Sequence, residues 1–173
     1  MIHLADTPVL RTERLILRAP AADDWPHWQR FHASPRAAGI GGAGQDPAAA
    51  WRLFAAVIGH WILRGCGWFV IHRREDATPL GTAGPWFPEG WPEREVGWTL
   101  WSKAAEGQGF AAEAGRAVLE HVFRDLDWPT AVSYVYDWNT RSIALAERLG
   151  GIRDDDAPAP KAGVLVYRHG APA

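Results

Sequence analysis

The most restrictive stretch of this chain is Glu106-Gly107-Gln108-Gly109-Phe110-Ala111, which joins an extended segment ending near Trp101 to a helix. From Ala111 the apolar residues Ala111, Ala114, Val118 and Val122 recur at three- and four-residue spacing. Glu113, Arg116, Glu120, Arg124 and Asp127 form the opposite, charged face. The pattern predicts an amphipathic helix of about four to five turns, reaching to about Asp127. Gly107 and Gly109 let the backbone enter the first turn with no Cβ in the way and with free N–H groups pointing outward. Such a loop and helix start favour an anion, most often a phosphate.

The spacing excludes two other phosphate loops. No Gly-Lys-Ser/Thr ending is present, so this is not a P-loop, and Gly-Gln-Gly-Phe-Ala lacks the third glycine and downstream acid of a Rossmann fingerprint. The run Gly107-Gln108-Gly109-Phe110-Ala111-x-Glu113-Ala114 resembles the acyl-CoA loop of the GNAT N-acetyltransferases. Its variant is similar to the RimJ/RimL-type branch, which modifies ribosomal-protein N-termini and small amines. Thr12-Glu13-Arg14-Leu15-x-Leu17-Arg18 resembles the opening strand of that branch.

In chain order, Val9 to Arg18 reads as a first strand ending at Pro20. Asp23 and Asp24 start a helix with Trp25, Trp28 and Phe31 on one side, running to about Ser34 and stopped by Pro35. Gly39 to Gly44 reads as a mobile loop, and Asp46 and Pro47 cap a second helix to Arg64. Three extended runs follow, Gly67 to Arg73, Leu80 to Phe87 and Arg94 to Trp101, joined by turns as an antiparallel meander. After the central helix come a strand from Ala131 to Tyr136, a helix from Asn139 to Leu149 closed by Gly150, and a strand from Val164 to Arg168. The order predicts an α+β chain with helices on both faces of one sheet. It matches the GNAT fold over nearly the whole length: a mixed, mostly antiparallel sheet of six to seven strands with about four helices. Residues 1–173 are expected to form a single domain.

The resemblance implies the site. Two parallel strands, here Arg94 to Trp101 and Ala131 to Tyr136, would splay apart and hold the pantetheine of acetyl-CoA between them. Leu100 and Trp101 would supply backbone contacts, with an N–H near the thioester oxygen. Gln108, Gly109, Phe110 and Ala111 would donate N–H groups to the pyrophosphate. Asn139-Thr140-Arg141-Ser142 resembles the family's Asn-x-x-Ser helix: Asn139 would bind the pantetheine amide, Arg141 a CoA phosphate, and Ser142 would protonate the departing thiolate. Asn and Ser also favour helix starts for capping alone. Glu95 is the candidate base, with Tyr134 and Tyr136 as rivals, while His72, His121 and His169 read as surface or edge residues. The family commonly has Gln or Arg at the loop's first position. Here it is Glu106, expected to point to solvent with Lys103 as an offset.

The resemblance implies acetyl transfer to a primary amine, a protein N-terminus or a small molecule, by direct attack in a ternary complex. A homodimer is compatible with it. The alternative is a CoA-binding or interaction module on the same scaffold without catalysis. The net charge of -2 gives no general pull toward nucleic acid or anionic lipid. The longest apolar stretch, Leu53 to Leu63, is too short to span a bilayer, and no basic-then-apolar leader opens the chain, so a cytoplasmic protein is expected. One cysteine, Cys66, forms neither an internal disulfide nor a metal cluster, and no metal is expected. Eleven tryptophans are the compositional oddity. Most are expected to fill core, though they would also suit an aromatic-walled acceptor pocket for an apolar or cationic group.

Overall fold

The computed structural model describes Leu4 and residues 6–40, Gly42, Gly44 and 46–171. The opening segment is a hairpin rather than one strand: β1 (Leu10–Arg11) pairs antiparallel with β2 (Leu15–Arg18), Leu10 facing Leu17. The turn closes because Thr12 N–H donates to Leu15 O at 3.0 Å, and the Thr12 hydroxyl and Arg14 N–H both donate to the distant Glu113 carboxylate. A short 3-10 turn, Ala22–Asp24, precedes α1 (Trp25–His32). Asp24 is buried there, its two oxygens taking Arg18 at 2.8 and 3.0 Å.

Helix α1 ends short of Pro35, and Pro35 itself opens a second 3-10 turn, Pro35–Ile40, because proline's fixed φ suits a first turn. Of the glycine loop expected at 39–44, Gly41 and Ala43 lie outside the described residues. Helix α2 (Pro47–Arg64) starts as its sequence demands: Asp46 Oδ1 accepts from Ala48 and Ala49 N–H, and Gly65 ends it with φ +73°. Then come β3 (Phe69–Arg73), β4 (Pro79–Trp86), β5 (Glu95–Leu100), α3 (Phe110–Arg124), β6 (Ala131–Tyr136), α4 (Thr140–Arg148), β7 (Ile152–Arg153) and β8 (Val164–His169).

The eight strands form one sheet in the order β1-β2-β3-β4-β5-β6-β8-β7. The count exceeds the expected six to seven because the first strand splits and a two-residue β7 is added beside β8. Every neighbouring pair is antiparallel except β5 with β6. Strand periodicity sorts the core into two layers. Leu15, Leu17, Phe69, Ile71 and Val96 meet Ala114, Val118 and Val122 of α3 on one face. Val70 and Trp86 meet Trp28, Phe54 and Val57 of α1 and α2 on the other. Helix α4 lies beside α3, with Ala146 packed against Val135 and Tyr167. Among the described residues no helix is long and apolar enough to cross a membrane.

Candidate active site

The parallel pair β5 and β6 is joined only at its beginning. Val132 N–H donates to Arg94 O at 2.9 Å, and the ladder registers one pair, Glu95 with Val132. The next step of a parallel ladder would take Tyr134 N–H to Val96 O. Instead the Ser133 hydroxyl donates to Val96 O at 2.7 Å, so the carbonyl is satisfied without the strands staying together. His169 Nε2 lies 3.0 Å from the same hydroxyl. With the hydroxyl proton directed at Val96 O, Nε2 carries the ring proton and donates. Burial pushes His169 down to about pKa 4, so the ring is neutral at pH 7. Past Val96 the strands separate.

On the α3 side of this gap lies a cavity of about 850 Å³. Gly107 and Gly109 adopt φ +73° and +81° at its rim, a backbone open to glycine at no steric cost. The first backbone bond of α3 is Glu113 N–H to Gly109 O, which leaves the preceding N–H groups, Phe110 to Ala112, without helical partners and facing the cavity end. The Gln108 side chain turns back to Ala104 O. Backbone alternation along β5 turns the N–H and C=O of Trp98 and Leu100 toward the gap. Trp101 departs from its expected part, because its N–H donates to Leu80 O at 2.8 Å on the β4 side.

Glu106 does not point freely to solvent, and Lys103 is not its partner. Arg36 Nη2 and Arg141 Nη1 each donate to one of its oxygens at 2.5 Å. The Arg36 hydrogen bond, with the charges of both guanidiniums, holds its pKa below the usual carboxylate range. Arg36 Nη2 also donates to Leu100 O at 3.2 Å, so the bridge ties the turn after α1 to the glycine loop and to α4. Asn139 caps α4 through Ser142 N–H at 3.3 Å, and its amide nitrogen lies 3.0 Å from where a Cβ on Gly39 would stand.

On the α1 and α2 side lies a second cavity of about 320 Å³, reached through the same gap. Gly39, Ile40, Trp98, Thr99, Asn139 and Ser142 line both. Glu95 stands on this side, 8% exposed, with Oε2 accepting from Trp91 Nε1 at 2.9 Å. Burial raises its pKa to about 8; the Trp91 hydrogen bond and the Lys161 charge pull the other way but less. A carboxyl poised near neutrality inside a cleft is suited to accept a proton from an amine. Tyr134 also lines the cavity, but its hydroxyl donates to Pro158 O at 3.2 Å and burial raises its pKa to about 12.

The histidines differ from the surface or edge positions expected of them. His121 and His169 are buried, and the His72 side chain is 11% exposed beside Asp24. Each pairs with a residue distant in sequence or on a neighbouring turn, and period alone does not show it. Cys66 is buried, and burial raises its thiol to about pKa 11. The nearby His60 Nδ1 meets the Cys66 carbonyl at 2.6 Å, and its Nε2 accepts from Phe87 N–H. Of the tryptophans, Trp28, Trp61 and Trp128 fill core, while Trp68, Trp86, Trp91 and Trp98 line the smaller cavity.

Sequence reading missed three contributors. Ser133 fixes the splay, Trp98 presents backbone to it, and Arg14 braces the glycine loop. Arg14 donates to Gln108 O at 2.9 Å and to Glu113 at 2.7 Å, and its guanidinium lies 4.7 Å from the Phe110 ring centre. The Glu113 of the loop motif, expected on the charged solvent face, is therefore a partly buried anchor for the first hairpin.

Known proteins share the fold that holds these residues. A structure of an acetyltransferase from Agrobacterium tumefaciens is 40% identical, superposes with a TM-score of 0.90, and the alignment covers 98% of each chain. A structure described as a GnaT-family acetyltransferase from Bordetella pertussis is 27% identical, with a TM-score of 0.79 over 94% of this chain and 99% of that one. The ribosomal-protein acetyltransferase RimL, solved with coenzyme A, shares the fold at 16% identity and a TM-score of 0.75 over 94% and 98%. The profile of the acetyltransferase (GNAT) domain matches residues 14–152, from the arginine that braces the loop to the strand β7, and the chain belongs to that family of acetyltransferases.

Proposed function

We propose that this chain is an acetyl-CoA-dependent N-acetyltransferase that acetylates a primary amine by direct attack within a ternary complex. The observation that carries the reading is the meeting of two cavities, one from each face of the sheet, at Thr99, Asn139 and Ser142 in the β5–β6 gap. A larger cavity ending on unpaired helix N–H groups fits a long, phosphate-bearing cosubstrate. A smaller one with a buried carboxyl fits an amine. The family uses acetyl-CoA, and the RimL structure with coenzyme A supports the same cosubstrate here.

Backbone N–H groups of Gln108, Gly109, Phe110 and Ala111 would bind the pyrophosphate. Leu100 and Trp98 would hydrogen-bond the pantetheine arm through the gap, and Asn139 would add its amide. Acetyl-CoA supplies the acetyl group as a thioester; the new bond is amine nitrogen to acetyl carbon, and the bond broken is carbon to sulfur. Glu95 takes the proton the amine loses, and the Ser142 hydroxyl holds one for the leaving sulfur. Arg141, released from Glu106, is within the same cavity to meet a phosphate.

Thiol release from acetyl-CoA in the presence of an amine panel, with the acetylated product identified by mass spectrometry, tests the reading. Ser142→Ala should lower kcat more than it weakens acetyl-CoA binding, because a leaving-group acid acts mainly in the transition state. Binding of CoA without acetyl transfer to any amine would instead make this a CoA-binding module.

A further inference from the structure

The smaller cavity also restricts the acceptor, if the acetyltransferase reading above holds. Its volume is about 320 Å³, against about 850 Å³ for the cavity on the α3 side. Its walls are rings already fixed in place. Trp86 stacks on His60 with centroids 4.7 Å apart at 20°, and lies 4.9 Å from Trp68. Trp91 is held by its bond to Glu95 and by an edge contact with Tyr134 at 6.0 Å. A preformed aromatic box spends little entropy on ordering and selects flat or branched apolar bodies over flexible polar chains.

Two polar atoms of the lining residues have no hydrogen-bond partner among the described residues. Glu95 Oε2 is taken by Trp91, whereas Oε1 has no hydrogen-bond donor among the described residues. Trp68 Nε1 is buried and has no acceptor among the described residues. Both border the same point, because a Cβ added at Gly97 would lie 3.3 Å from Glu95 Oε1 and 3.7 Å from Trp68 Nε1. Glycine at 97 thus leaves open the space where Glu95 Oε1, an acceptor once the carboxyl is ionised, and the Trp68 donor converge. A ligand that offers an oxygen to the buried Trp68 N–H and an N–H to Glu95 Oε1 satisfies both at once, and the buried donor is the one that is costly to leave unmet. Lys161, whose ammonium lies 4.7 Å over the Tyr136 ring, also lines the cavity and disfavours a second cation there.

We infer that the acceptor is a compact primary amine with an aromatic or branched apolar body and a carbonyl oxygen beside the nitrogen, the chemistry of an aromatic amino-acid amide. The amine donates to Glu95 Oε1, and Trp68 Nε1 donates to the carbonyl oxygen. A polyamine lacks the oxygen and the apolar body. A longer peptide adds chain that these ring walls do not contact, so its extra length brings ordering cost without added burial in the box.

The test uses the intact protein with L-phenylalaninamide, phenethylamine, spermidine and a pentapeptide beginning with Phe as probes. Calorimetry reads binding of L-phenylalaninamide in the presence of CoA, and mass spectrometry reads acetylation of all four. L-phenylalaninamide should bind, and its kcat/KM should exceed those of spermidine and the pentapeptide at least about ten-fold. Leu53 of α2 also lines the cavity, and Gly97→Ala and Leu53→Trp, each checked for an unchanged unfolding midpoint, should weaken amide binding at least about ten-fold while leaving CoA affinity in place. Trp68→Phe keeps a ring but removes the N–H, so it should erase the advantage of L-phenylalaninamide over phenethylamine. Failure of L-phenylalaninamide to bind, or equal turnover of spermidine or the pentapeptide, overturns the acceptor class and leaves the transferase reading standing. Amide binding that the two filling variants abolish, with no amine acetylated, overturns the transferase reading and keeps the binding class.

Discussion

The Ser133 hydroxyl donates to the Val96 carbonyl at 2.7 Å, and β5 and β6 part immediately beyond that bond. A buried carbonyl that has lost its strand partner needs another donor, and a serine on the neighbouring strand supplies it at the point of divergence. Ser133→Ala leaves Val96 O unpaired in the interior. Chemical denaturation should show a loss of about 1–3 kcal/mol. CoA affinity should fall as well, since the gap is no longer held at one width. Full stability and full affinity in this variant would remove Ser133 from the splay.

Glu95 titrates in two senses that can be separated. Its folded pKa, about 8, lies above the ordinary value of 4.5, so between those pH values the native state binds more protons than the unfolded chain. Stability attributable to this group is therefore largest at low pH and declines as pH rises from about 4.5 to about 8. Catalysis runs the other way, because a base must be unprotonated. In the wild type kcat/KM should climb with pH toward a plateau above about 8. Glu95→Gln should lower kcat by roughly 10²- to 10⁴-fold, abolish the Glu95 limb of that profile and flatten the stability decline. A variant that keeps wild-type kcat would place the base elsewhere.

Gly109 stands at φ +81° where the helix N–H groups begin, and a Cβ there would lie 3.4 Å from Arg14 Nη2. Gly109→Ala carries the backbone strain alone, and Gly109→Glu adds a carboxylate. Relative to Gly109→Ala, Gly109→Glu should weaken CoA binding by at least about ten-fold, or ~1.4 kcal/mol, in isothermal calorimetry. Equal affinities in the two variants would move the pyrophosphate away from this loop.

Cys66 is the only thiol, and it is buried with its pKa raised to about 11 by that burial. A thiol in that state is a poor nucleophile at neutral pH. Cys66→Ser should retain most of the activity, and initial-rate plots of the wild type should intersect as a ternary complex requires. Parallel lines with an acetylated Cys66 peptide formed before acceptor is added would instead establish a covalent route.

The glycine loop, the Asp46 cap, the amphipathic α3 and the boundaries of β6 were legible in the sequence because each depends on residues within one or two turns of chain. A positive φ at Gly107 and Gly109, a carboxylate at a helix start and a 3.6-residue period are local properties, and local energetics decide them wherever the segment is placed. The family resemblance extended this reading to the order of strands and to the strand pair that opens.

Tertiary structure decided what the local pattern leaves open. Glu113 has the same helical register whether it faces water or holds Thr12 and Arg14 across about a hundred residues of chain; only packing of the first hairpin on α3 makes it an anchor. Glu106 lies 70 residues from Arg36 and 35 from Arg141, so only folding brings those guanidiniums to its two oxygens. Glu95 is a candidate base by resemblance alone, and its pKa near 8 comes from burial, which strand alternation does not show. Desolvation and long-range pairing depend on what surrounds a side chain in space, so strand and helix periods carry no record of them.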